Sequence, residues 1–131
     1  MAEQTRILIA GAGSWGTALA ILLARNGHHC TLWGRNPAHL AEMQAVRENA
    51  RFLPGVELPP NLSCTSDLAA AAQNAEQVLM AVPSEAFPKV LHALAPLLSE
   101  GTPVFWATKG FEPHSGRFLH QVAAEILGPQ S

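Results

Sequence analysis

Arg6-Ile7-Leu8-Ile9-Ala10 runs directly into Gly11-Ala12-Gly13-Ser14-Trp15-Gly16, and Thr17-Ala18-Leu19-Ala20-Ile21-Leu22-Leu23-Ala24 follows. The first segment is a short, continuous apolar run, which reads as a strand covered on both faces. The second reads as a glycine turn. The third continues a helix that starts at Ser14, runs to Asn26 and is ended by Gly27. Strand, glycine turn and helix in this order seat the diphosphate of a dinucleotide on a helix N-terminus. Each glycine is expected to serve a different purpose. Gly11 permits the tight turn, Gly13 the close approach of the ligand, and Gly16 the close packing of helix on strand. Free amides at the helix start, and the positive end of its dipole, then face the phosphates. A bare GxGxxG pattern also occurs in glycine turns that only reverse the chain; the flanking strand and helix make it specific here.

Outward from this unit, strand and helix signals alternate. Cys30–Trp33 reads as a second strand. Asn36 caps the next helix, with Pro37 at its first position and Leu40, Met43 and Val46 on one face, extending to about Glu48. The stretch 50–61 reads as irregular, because Pro54, Gly55, Pro59 and Pro60 resist regular structure. Leu62–Thr65 forms a short third strand, and Asp67 caps an alanine-rich helix from Leu68 to about Asn74. Val78–Val82, fully apolar, is a fourth and central strand that Pro83 stops. A helix follows to about Leu98, capped by Ser84 or, a better fit, begun at Pro88 after Phe87. Val104–Ala107 is a fifth strand. A loop from Thr108 to Pro113 leads to a last helix, Ser115–Leu127, with Gly128 as its stop.

This alternation specifies an α/β fold of the Rossmann type: a doubly wound, mainly parallel sheet with helices on both faces and right-handed crossovers. Residues 1–131 form one domain, without internal repeat or linker. Any ligand crevice then lies at the carboxyl ends of the strands.

Composition narrows the function classes. Of the 131 residues, 48% are hydrophobic and 14% charged, which describes a globule with a substantial core rather than a disordered chain. A net charge of −2, with Lys89 and Lys109 the only lysines, gives no basic surface for nucleic acid. Cys30 and Cys64 stand singly in β-prone segments and read as reduced core thiols. The histidines show no HxxxH or HExxH spacing, so no metal site is expected. The segment after Met1 is polar, and Ile7–Ala10 is too short for a signal-peptide core. No apolar run approaches bilayer-spanning length, so a cytoplasmic protein with no membrane partner is expected.

The residues that follow each strand are the candidates for the site. Gly34, Arg35 and Asn36 follow the second strand, at the point where NAD enzymes usually carry an acid for the ribose 2′-hydroxyl. Arg35 stands there instead. A guanidinium suits a 2′-phosphate and stacks on adenine, which favours NADP over NAD; the plain alternative is a solvated arginine at a helix start. Lys109 ends the fifth strand, where an ammonium meets a cofactor phosphate or an anionic substrate. Ser14 and Trp15 lie in the turn itself, and Trp15 is either a lid over the phosphates or packing beneath the turn. Pro83-Ser84 either does no more than end a strand or offers a hydroxyl that could reach a nicotinamide ribose. His39, four residues after Arg35, is a further candidate for the adenine side. Trp33 and Trp106 are expected in the core. Lys89, His28, His29, His92 and His120 read as surface or helix residues, and Glu42 and Glu48 as a solvated helix face.

Taken together, Gly-Ala-Gly-Ser-Trp-Gly-Thr-Ala-Leu-Ala at 11–20 and Leu-Trp-Gly-Arg at 32–35 resemble the soluble NAD(P)-dependent sn-glycerol-3-phosphate dehydrogenases of bacterial type. Asn49-Ala50-Arg51-Phe52-Leu53-Pro54 is similar to that family's Asn-x-x-(Tyr/Phe)-Leu-Pro segment. Val82-Pro83-Ser84 and Ala107-Thr108-Lys109-Gly110 match two more blocks in the same order. The resemblance implies reversible hydride transfer between NAD(P)H and dihydroxyacetone phosphate, giving sn-glycerol 3-phosphate for phospholipid synthesis. It implies that Ser14, Trp15 and Arg35 contact the cofactor, that Phe52 lines the cofactor side, and that Lys109 touches both cofactor and substrate. The glycines Gly11, Gly13 and Gly16 complete the cofactor set. The family's catalytic lysine belongs to a second, helical domain. Because the sequence ends at Gly128-Pro129-Gln130-Ser131, it reads as the N-terminal domain of a longer enzyme, itself a possible homodimer, with no catalytic residue of its own and little expected turnover.

Two other classes share these features. A nucleotide-sensing module would bind NAD(P) and catalyse nothing. A two-domain dehydrogenase of the β-hydroxyacid type would share both the fold and the helical half. A methyltransferase also uses a glycine turn after its first strand, but an acid after the second strand would be expected in place of Gly34-Arg35.

Overall fold

A computed structural model describes residues 5–106. Their order is β1 (Arg6–Ala10), α1 (Ser14–Arg25), β2 (His29–Trp33), α2 (Pro37–Val46), β3 (Glu48–Asn49), β4 (Leu53–Glu57), β5 (Leu62–Thr65), α3 (Leu68–Ala72), β6 (Gln77–Met80), α4 (Phe87–Leu94) and β7 (Val104–Trp106). Five strands form one parallel sheet in the order β5-β2-β1-β6-β7. The chain winds outward from β1 to β2 and β5, then returns to the other side of β1 for β6 and β7. This is the strand order of the doubly wound dinucleotide fold, and its switch point lies between β1 and β6.

Because side chains alternate along a strand, β1 feeds two cores. Ile7 and Ile9 point to the α1–α2 face, where they pack with Ile21, Leu32 and Leu40. Leu8 and Ala10 point to the α3–α4 face with Val78, Met80, Phe87 and Leu91. Helix α1 buries Thr17, Ala20, Ile21 and Ala24, the spacing of one helical stripe. It ends in a Schellman motif: the Gly27 amide donates to the Ala24 carbonyl at 3.0 Å and the His28 amide to Leu23 at 3.2 Å, with Gly27 at φ +97°.

Most expected boundaries hold within a residue or two. Asn36 caps α2 by accepting from the His39 amide at 3.2 Å, with Pro37 in its first turn. Asp67 caps α3 by accepting from the Ala70 amide at 3.1 Å. Cys30 and Cys64 are buried free thiols. Trp33 is buried, with its indole N–H donating to the Ser66 carbonyl at 3.0 Å.

Several expectations fail, each for a local reason. The stretch 50–61 is not wholly irregular: β3 and β4 form a two-stranded antiparallel ribbon with a register shift between Glu48 and Asn49. Pro54 and Gly55 are tolerated in β4 because that strand pairs on one side only. Helix α2 stops at Val46, two residues early, because Arg47 takes a left-handed conformation at φ 64°. The Arg47 guanidinium secures that bend by donating to the Pro59 and Leu62 carbonyls, and Val46 is left exposed. Glu48 is therefore a ribbon residue whose carboxylate accepts from the Gly55 amide at 3.0 Å, not part of a solvated helix face.

Helix α4 begins at Phe87, with Pro88 second and Ser84 not its cap. It tightens into a 3-10 turn at Ala95–Leu97, since Pro96 lacks the N–H that would continue the α-helical ladder. Trp106 is half-exposed on the outer strand β7 and meets Phe87 edge-on at 6.3 Å, so it is not a core residue. The loop from Thr108, the expected helix Ser115–Leu127, Lys109 and His120 lie outside the described residues. Among the described residues no helix is long and apolar enough to cross a membrane.

Candidate dinucleotide site

The glycine turn leaves β1 at the switch point and is fixed by its neighbours on both sides. The Gly11 amide donates to the Trp33 carbonyl at 2.8 Å, while the Ala81 amide donates to the Ala10 carbonyl at 2.7 Å. Gly11 has φ +125°, and a Cβ there would lie 2.6 Å from the carbonyl carbon and oxygen of Ala81. A Cβ on Gly16 would lie 1.8 Å from the Gly11 carbonyl oxygen. Both positions are closed by backbone, so the fold itself demands glycine at each.

Gly13 differs. It is the N-cap of α1 with ordinary extended dihedrals (φ −78°, ψ −172°), and a Cβ there would meet nothing within 4 Å. Space is open above it. As a glycine it offers no side-chain cap to the first turn of α1, and no acid stands in that turn. The first intrahelical bond runs from the Thr17 amide to the Gly13 carbonyl at 3.0 Å. The positive end of a twelve-residue helix therefore opens toward solvent at the crevice. Ser14 and Trp15 are exposed beside it; Trp15, at 52% exposure, does not pack beneath the turn.

β2 delivers the second part of the site. Gly34 is wedged between Leu40 and Ala12, where a Cβ would lie 2.6 Å and 2.9 Å from their side chains. This holds the start of the β2–α2 loop against the glycine turn. Arg35 follows directly and is exposed. No carboxylate stands between Gly27 and Ala41, so no acidic side chain adjoins Arg35 in sequence to accept from a ribose hydroxyl.

The ribbon delivers the third part, which residue-by-residue reading missed. Asn49 in β3 is fully buried. Its Nδ2 donates to the Ala12 carbonyl at 3.0 Å and to Thr17 Oγ1 at 2.8 Å. Its Oδ1 accepts from the Phe52 amide at 3.2 Å and lies 3.0 Å from His39 Nε2, which must therefore carry the proton. Thus His39 turns its ring toward Asn49, and meets Phe52 edge-on at 5.5 Å. Phe52 is exposed at the turn of the ribbon, and the Arg51 guanidinium sits 5.3 Å from its ring centre. Apart from its place in the Asn-x-x-(Tyr/Phe)-Leu-Pro segment, nothing in sequence distinguished Asn49 from a loop residue.

Of the eight expected cofactor residues, Gly11, Gly13, Ser14, Trp15 and Gly16 form the turn, Arg35 stands at the adjoining strand end and Phe52 on the ribbon bonded to it. Lys109 lies outside the described residues. Ser84 follows β6 on the same sheet edge and is half-buried. The burial of Cys30 and Cys64 pushes both thiols up to about 11, which leaves them protonated and unreactive near neutrality.

Residues 6–131 match the family described as NAD-dependent glycerol-3-phosphate dehydrogenase N-terminus. The glycerol-3-phosphate dehydrogenase [NAD(P)+] of Xanthomonas euvesicatoria is 56% identical over 124 residues, covering 95% of this chain and 36% of that protein. The enzyme of the same name from Stenotrophomonas maltophilia is 55% identical over 123 residues, covering 94% and 36%. The crystal structure of glycerol-3-phosphate dehydrogenase from Coxiella burnetii superposes with a TM-score of 0.91 at 42% identity, covering 95% of this chain and 38% of that one. A prephenate dehydrogenase from A. aeolicus, at 19% identity and a TM-score of 0.72, shares the fold. The chain thus spans about 36% of the length of the curated relatives it matches. Because the family match runs over residues 6–131, nearly the whole length, this chain belongs to the NAD-dependent glycerol-3-phosphate dehydrogenase N-terminal family.

Proposed function

We propose that this chain is the cofactor-binding part of an NAD(P)-dependent glycerol-3-phosphate dehydrogenase, a cytoplasmic enzyme. Its reaction is reversible hydride transfer between NAD(P)H and dihydroxyacetone phosphate, giving sn-glycerol 3-phosphate for phospholipid synthesis. The observation that carries the cofactor reading is the contrast among the three glycines. The fold closes around Gly11 and Gly16, yet leaves open space at Gly13, whose dihedrals any residue adopts. Packing gives no reason for glycine at that position, whereas a diphosphate approaching the backbone does.

The residues present fit such a ligand. The turn 11–16 and the start of α1 would hold the diphosphate through backbone amides, with the hydroxyl of Ser14 beside them. Trp15 and Phe52, both exposed, would supply apolar surface to the cofactor. Arg35 would pair with a 2′-phosphate, which is the basis for NADP preference. Lys109 would reach both cofactor and substrate. The bound nicotinamide supplies the hydride. The residues of this chain would bind and orient it, and the catalytic lysine would belong to the helical domain that the family resemblance implies.

The test is titration of NADPH and NADH into residues 1–131 by calorimetry, alongside a turnover assay with dihydroxyacetone phosphate. Saturable uptake of both dinucleotides, tighter for NADPH, with negligible turnover is the expected result. Absence of uptake by folded protein overturns the cofactor reading. Turnover at the rate of the longer relatives overturns the placing of catalysis outside this chain.

A further inference from the structure

Asn49 makes four polar contacts from a fully buried side chain, and they reach three different parts of the site. Its amide group donates to the Ala12 carbonyl, inside the glycine turn, and to Thr17 in the first turns of α1. Its carbonyl takes the amide of Phe52 on the ribbon and the ring N–H of His39. The His39 backbone in turn closes the Asn36 cap next to Arg35. We propose that Asn49 is a positioning residue for dinucleotide binding. By gripping the Ala12 carbonyl it fixes the peptide planes of the glycine turn, and so the direction of the amides at the start of α1. This inference rests on the dinucleotide reading of that turn.

The chemistry makes the role specific to an amide. A carbonyl oxygen in the turn needs a donor, and Thr17 Oγ1 takes a second donor from the same nitrogen. Phe52 N–H and His39 Nε2–H both need an acceptor, and the other end of the same group supplies it. Aspartate has the same outline but, when ionised, only acceptors. It would set an oxygen against the Ala12 carbonyl at about the spacing where a hydrogen bond now lies, and the turn must then rotate or shift away. A protonated carboxyl regains one donor and restores part of the grip.

The experiment is titration of NADPH and NADH into wild type and Asn49→Asp, well below the melting temperature, from pH 8 to pH 5. At pH 8 the variant is expected to weaken for both dinucleotides by the same factor, about tenfold or more for a lost buried hydrogen bond and an opposed carbonyl. The NADPH-to-NADH ratio stays that of wild type, because Arg35 is untouched. Measured against wild type at each pH, affinity recovers as the introduced carboxyl protonates. A purely structural role lowers the melting temperature but leaves the affinity of folded protein and its pH profile unchanged, and that result overturns the proposal. If Asn49→Asp does not fold, Thr17→Val replaces it. This variant removes one acceptor from Asn49 at constant side-chain shape and is expected to weaken both dinucleotides a few-fold; unchanged affinity overturns the proposal. Wild type that binds neither dinucleotide overturns the cofactor reading itself, and the positioning role with it.

Discussion

Gly13→Ala separates the ligand's requirement from the fold's. The new methyl group would meet no atom within 4 Å, and the backbone at φ −78° and ψ −172° suits alanine. Two small stability effects oppose each other. Alanine loses less conformational entropy on folding, which stabilises by about 0.4–1 kcal/mol. Alanine is also a poorer N-cap than glycine, which costs about the same. The melting temperature should therefore move little. Binding should change far more, because the methyl group projects into the open space above the first amides of α1. Displacing a diphosphate oxygen from even one charge-assisted hydrogen bond costs about 1.5–3 kcal/mol, or about 10–150-fold in affinity. Thermal melts paired with calorimetric titration of NADPH and NADH check both halves. A stable Gly13→Ala protein that binds dinucleotide as tightly as wild type would falsify the assignment of this space to the diphosphate.

Gly16→Ala should do the reverse and damage the fold directly. Its Cβ would lie 1.8 Å from the Gly11 carbonyl oxygen, and backbone cannot give way cheaply. A loss of at least about 1–3 kcal/mol is expected by chemical denaturation, and a value near zero would contradict the close packing of helix on turn. Arg35→Asp should abolish any preference for NADPH while sparing NADH, since it exchanges a guanidinium for an acceptor suited to the ribose hydroxyl; unchanged selectivity in titrations of the two dinucleotides would remove the 2′-phosphate assignment. Cys30 and Cys64 should resist alkylation at pH 8 in the native state and react on unfolding, because burial raises both thiols to about 11. Proton linkage follows from that shift. The folded pKa values lie above the ordinary value of 9.0, so thiolate formation favours the unfolded chain, and the thiols reduce stability as pH climbs from 9.0 toward 11. Denaturant midpoints that fall equally with pH across that window in wild type and in a Cys30→Ser, Cys64→Ser variant would argue against it.

What the sequence disclosed and what it withheld divide along a physical line. β1, the glycine turn and α1 were legible because each is specified by neighbours in the chain: an apolar run, a glycine at positive φ, a helix stripe and a Schellman stop. Asn36 and Asp67 were legible as caps for the same reason, since a cap bonds an amide three residues away. The ribbon was not. Pro54 and Gly55 carry a strong local signal against strand, and only the one-sided pairing of β3 with β4 overrides it. The end of α2 depends on Arg47, whose anchoring carbonyls lie 12 and 15 residues further along. Asn49 was the hardest of all, because its partners Ala12 and Thr17 lie 37 and 32 residues back. An asparagine beside an arginine and several prolines has the composition of an exposed loop, and nothing local predicts that it is fully buried. Yet the same distance in sequence is what gives it reach. A nearby residue could brace the turn only from its own strand or helix. Asn49 arrives on a separate ribbon, so it can tie the glycine turn to Phe52 through one amide group. The parts of a binding site that local pattern leaves unread are thus the parts that join its separately encoded pieces.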